Sequence, residues 1–106
     1  MYAKVHQRTI MESGRPVTRK IVAVCDAALL GKVFRQGELV LDLQKYRSFY
    51  AGEKVTQGRL ALLLADAPNV NLVGPKAIAA AALAMKINPA RAKTIGGVPH
   101  LQVYRV

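Results

Sequence analysis

Cys25, Asp26 and His100 are the residues whose types could make and break bonds in this chain. A thiol beside an imidazole can serve as nucleophile and base. The local sequence argues for a plainer role. Cys25 ends the apolar run Lys20–Cys25 (K-I-V-A-V-C), where a lone cysteine is a small buried apolar side chain. Asp26 stands where a helix cap would. The nitrogen and sulfur ligands are Cys25, His6 and His100, without a C-x-x-C or similar zinc spacing. Neither G-x-x-x-x-G-K-[ST] nor G-x-G-x-x-G occurs. The residues therefore point to a binding protein, not an enzyme, with no cofactor and no metal.

Three groups of residues suit a polyanion instead. Tyr2, Lys4, His6 and Arg8 alternate with Ala3, Val5 and Gln7, so they share one side of a strand. His100, Gln102 and Tyr104 share one side of another. If the two sides coincide, rings that stack on unpaired bases sit among cations that neutralise phosphate. An ordinary polar sheet face looks much the same. The second group is Lys45-Tyr46-Arg47-Ser48-Phe49-Tyr50, where two cations interleave with three aromatics. Lys45 and Arg47 suit phosphate contact, and Phe49 is expected to pack inward. The third is a pair of glycine turns, Gly74-Pro75 and Gly96-Gly97-Val98-Pro99 beside His100. Their N–H groups can meet an anion, or simply turn the chain.

Bulk charge supports the polyanion. Sixteen Lys and Arg face six Asp and Glu in 106 residues, a net charge of +10. Such an excess repels itself, and a phosphate backbone relieves the repulsion while releasing counterions. No acid follows Asp66, and the first twenty residues hold Glu12 alone. Both ends of the chain are therefore basic. The expected phosphate-contacting set is Lys4, Arg8, Arg19, Lys20, Lys32, Arg35, Lys45, Arg47, Lys76, Lys93 and Arg105. The longest apolar stretch, near Leu60–Leu64, is far short of the roughly 20 residues of a membrane span. A single cysteine and a start without a long apolar run suit a cytoplasmic protein.

These residues need elements to position them. Tyr2–Arg8 reads as a strand, residues 12–16 as a turn, and Lys20–Cys25 as a strand covered on both faces, pairing as a hairpin. Asp26 is expected to cap a short helix, Ala27–Leu30, ended by Gly31. Glu38–Leu43 reads as a third strand and Lys45–Gly52 as a loop. Thr56 caps a helix through Asp66, stopped by Pro68. Asn71–Val73 is a short strand. Gly74-Pro75 opens a second helix whose buried face is Ile78, Ala82 and Met85. His100–Val106 is a last strand, with Leu101 and Val103 inward. The expected fold is a single α/β (α+β) domain, residues 1–106, with a small mixed β-sheet and two main helices packed on it.

Several strings carry a family resemblance. They are Val22-Ala23-Val24-Cys25-Asp26, Leu29-Leu30-Gly31-Lys32, Phe34-Arg35, Gly37-Glu38-Leu39-Val40-Leu41-Asp42, Phe49-Tyr50, Asn71-Leu72-Val73-Gly74 and Ile95-Gly96-Gly97-Val98-Pro99-His100. From about Lys20 onward the chain resembles an archaeal family of small proteins of unknown function, domain of unknown function four-two-four. The resemblance implies a compact α/β fold and an archaeal cytoplasmic source, and it carries no established activity. It marks Cys25, Asp26, Gly31, Lys32, Arg35, Gly74, Gly97 and His100 as a shared signature.

The expected function is RNA binding as an accessory to translation, with ribosomal RNA and ribosomal proteins as partners. A second expectation is a small anionic-ligand protein or enzyme, its pocket closed by the Asp26–Arg35 and Gly96–His100 loops. A third is a protein-interaction module that pairs through a strand edge.

Overall fold

The computed structural model describes residues 1–104. The chain opens with two long strands, β1 (Tyr2–Glu12) and β2 (Arg15–Cys25), paired antiparallel along their whole length. Ser13 and Gly14 make the two-residue turn, both at positive φ (50° and 77°), the geometry whose twist matches a hairpin. β3 (Val33–Gln36) and β4 (Leu39–Asp42) form a separate hairpin. Then come a one-turn helix α1 (Arg47–Tyr50), a two-residue strand β5 (Glu53–Lys54) and α2 (Gln57–Leu64), which Thr56 caps by accepting the Arg59 N–H. β6 (Asn69–Val73), α3 (Pro75–Ala84), β7 (Lys93–Ile95) and β8 (Val98–Tyr104) complete the described chain.

The main sheet has six strands in the order β5-β1-β2-β6-β8-β7. β2 and β6 are parallel and the other pairs antiparallel, so the sheet is mixed and the fold α+β. β2 is central in the inner half of the sheet, where Val22, Ala23, Val24 and Cys25 are all fully buried. That accounts for an apolar run without alternation.

The two faces of the sheet differ. Ala3, Val22, Val24, Val70, Leu72 and Leu101 face α2 and α3 and form the larger core with Leu60, Leu64 and Ile78. Each of the Val, Leu and Ile side chains contributes about 1.5–3 kcal/mol on burial. On the other face, Ala23, Cys25 and Val73 are covered by Leu41, Leu43 and Tyr50 from the β3–β4 hairpin and α1. This cover spans only one end of the sheet.

Several expectations require correction. Residues 27–30 form turns, not a helix. Asp26 instead caps α3 from a distance, accepting the N–H groups of Lys76 (3.1 Å) and Ala77 (2.6 Å). The hairpin runs past Arg8 to Glu12, and part of Lys45–Gly52 is helical. The buried face of α3 is Ala77, Ile78, Ala80 and Ala81, with Ala82 exposed. Met85, just past the helix, is buried as expected.

Candidate nucleic-acid interface

Strand register decides which side chains share a side. Tyr2, Lys4, His6 and Arg8 lie opposite Cys25, Ala23, Ile21 and Arg19 on β2. Ala23 pairs in turn with Asn71, and Asn71 with Gln102. Val73 pairs with His100, and His100 with Lys93. The two polar faces expected from the sequence are therefore one face, the side away from α2 and α3. Of the five cations on the β1–β2 hairpin, Lys4, Arg8, Arg15 and Arg19 stand on this side, and Lys20 stands on the other. Arg15 joins the set because the strand is longer than its apolar pattern implied.

The face is rich in rings and nearly free of acids. His6 stacks on Phe49 with centroids 4.4 Å apart, and its Nε2–H donates to the Phe49 carbonyl at 2.8 Å. Lys4 donates to the Ser48 carbonyl at 2.8 Å, tying α1 to β1. Tyr104 is 68 % exposed. The ammonium of Lys45 sits 5.4 Å from the Tyr46 ring centroid. The acids are largely engaged: Glu12, on this face, pairs with Arg19, while Asp66 pairs with Lys20 and Glu53 with Arg59. Asp26 caps α3, and Asp42 accepts the Gln44 and Lys45 N–H groups. Arg8, Arg15 and Lys93 have no ion-pair partner among the described residues.

A groove of about 420 Å³ lies where the hairpin cover meets the open sheet. Its floor carries a polar triad. Asn71 Oδ1 accepts from the Tyr50 hydroxyl at 3.0 Å and from His100 Nε2 at 2.9 Å. Burial, then the Lys93 charge beside it, lowers the His100 pKa. The ring is therefore neutral at neutral pH. Burial raises the Tyr50 hydroxyl above the ordinary phenol range, so it stays a donor. Two neighbouring depressions are lined by Arg91, Lys93 and Tyr104, and by Lys86, Arg91 and Tyr104. Asn71, Lys86 and Arg91 were not singled out from the sequence. Asn71 stood inside a quoted string, and only strand pairing shows that it meets His100.

The remaining named residues are dispersed. Lys20 and Lys76 lie on the helix side. Lys32, Arg35, Lys45 and Arg47 are exposed on the cover. Arg105 lies outside the described residues. The signature loops touch through backbone. A side chain at Gly96 would meet the Arg35 backbone, and the Gly96 N–H donates to Gln36 Oε1 at 3.0 Å. Gly31 lies against the Arg47 guanidinium. Gly97 shares the β7–β8 turn with Gly96 at positive φ. His100 lines the groove, whereas Lys32 and Arg35 do not. The α3 start at Gly74 offers its free N–H groups to Asp26 rather than to an external anion.

Cys25 and His100 do not form a catalytic pair. Val73 stands between them in register, which puts them two strand spacings, about 10 Å, apart. Burial, followed by the Asp26 charge, pushes the Cys25 thiol up to about 12. Its S–H donates to the Asp26 carbonyl at 3.3 Å.

No curated protein matches the chain. Its fold is similar to that in the crystal structure of an uncharacterized conserved protein from Methanopyrus kandleri, an archaeon. The two share 23% identity with a TM-score of 0.68, over 94% of this chain and 90% of the other. A family model described as "Protein of unknown function (DUF424)" matches residues 16–106, and the chain belongs to that family.

Proposed function

We propose that this protein binds RNA across the open face of its six-stranded sheet, in the cytoplasm, as an accessory to translation. One observation carries the reading. Strand register gathers Lys4, Arg8, Arg15, Arg19 and Lys93 on the same side as Tyr2, His6, His100 and Tyr104. Cations supply phosphate contacts and the exposed Tyr104 ring supplies a stacking platform beside the half-buried rings, the combination used on sheet surfaces for single-stranded RNA. Helices α2 and α3 occupy the opposite side, and the β3–β4 hairpin with α1 covers only one end of this one. Ribosomal RNA, with the ribosomal proteins around it, is the partner to test first.

Binding to ribosomal RNA across a salt series tests the proposal. Six or more phosphate contacts cost roughly a thousandfold in affinity between about 50 and about 200 mM salt. A salt-insensitive affinity, or none at the lowest salt, rejects the reading.

A further inference from the structure

The groove beside His100 has a different character from the basic face around it. Among the described residues no Lys or Arg lines it, and its one acid, Asp42, is engaged with the backbone of the following turn. Leu41, Ile95, Phe49 and Tyr46 make its walls. Its floor is polar: Asn71, His100 and Gln102. A small anion would find no cation inside. A purely apolar ligand would leave the Asn71 amide without a partner, at the usual cost of a buried polar group. A flat, neutral heterocycle with a hydrogen-bonding edge suits both walls and floor.

We propose that this groove holds one unpaired nucleobase of the bound RNA and reads its edge, giving the interface a base preference at that position. This deepens the RNA-binding reading and rests on it. The Tyr50 hydroxyl and His100 Nε2 both donate to Asn71 Oδ1, so the amide is held in one orientation before any ligand arrives. Its two N–H donors have no protein partner among the described residues. The second ring nitrogen of neutral His100 is an acceptor, and the Gln102 amide adds a donor at the mouth. The adjoining depression shares His100 and Gln102 with the groove and carries Arg91 and Lys93, where the phosphates flanking the base would lie. Aromatic walls stack on any base, and a fixed donor–acceptor floor separates one base from another.

The test uses free nucleosides, which lack phosphate and so bypass the basic face. Each of the four is titrated into the native protein while the Asn71 and Gln102 side-chain amides and the His100 ring are followed by NMR. The expected result is a saturable shift of all three resonances, strongest for one nucleoside. Gln102→Ala, an exposed change that spares the core, should lower affinity for the matching homopolymer about tenfold and for the others less. Four nucleosides that move none of the three resonances overturn the proposal, even where salt-dependent RNA binding persists. Nucleoside shifts without any RNA binding uphold the groove's base recognition and reject the wider RNA reading.

Discussion

Asp26 Oδ1 accepts the backbone N–H of Ala77 at 2.6 Å, across fifty-one residues of sequence. The carboxylate that follows β2 thus closes the start of α3 and ties that helix to the sheet. Asp26 is only 5% exposed, so removing it strands two N–H groups beside the core. Asp26→Ala is expected to cost about 2 kcal/mol or more, as a lost cap with unsatisfied donors. Asp26→Asn retains an acceptor and should cost less. Denaturant midpoints check both, and equal losses would reject the cap.

Gly74 is the counterpart of that contact. Its φ is 104°, and a Cβ there would stand inside the Asp26 carboxylate. Gly74→Ala combines backbone strain with displacement of the cap, at about 2–4 kcal/mol. Gly14→Ala meets open space at its turn and should cost less. Thermal melting of the two variants side by side decides the order.

Charge reversal distinguishes the two sides of the molecule. Arg8→Glu with Lys93→Glu should weaken RNA binding at least tenfold and flatten its salt dependence. Lys20→Glu with Lys76→Glu changes net charge equally on the helix side and should change affinity little. Similar losses in both pairs would mean that bulk charge, not the open face, binds RNA.

Cys25 should be inert in the native protein. Its thiol is fully buried and its pKa lies at about 12, so almost no thiolate exists at neutral pH. Modification by a thiol reagent should run at least about a hundredfold slower than for a free cysteine, until denaturant is added. Rapid native labelling would contradict this burial.

The pH dependence of stability follows from His100. Its folded pKa lies below its unfolded value near 6.5, so the unfolded chain binds the proton more tightly. The contribution of neutral His100 is complete above that value and is lost as pH falls through the folded pKa. The melting temperature should drop between about pH 7.5 and about pH 5, and less steeply in His100→Gln. Identical slopes would exclude His100 as the source.

Much of this was legible in the chain itself. The apolar run Lys20–Cys25 marked the central strand, and Thr56 and Gly74-Pro75 marked the two helix starts where they fall. Other features left little trace. The outer half of the β1–β2 hairpin buries little and has no clean apolar stripe, so its strands showed only as far as Arg8. Asp26 looked like a local cap because a local helix could follow it. Its real partner is a helix that only the sheet brings near.

Charge excess, strand alternation and the Thr56 cap are properties of neighbouring residues, and the sequence determined them alone. That Tyr2, Lys4, His6 and Arg8 face the same way as His100, Gln102 and Tyr104 was decided in three dimensions. Alternation states which residues share a side within one strand, but not which side another strand matches. Packing of Val24, Leu72 and Leu101 against the helices sets that register. A one-residue slip would expose those side chains and bury the polar set, so the core itself holds the basic and aromatic side chains together.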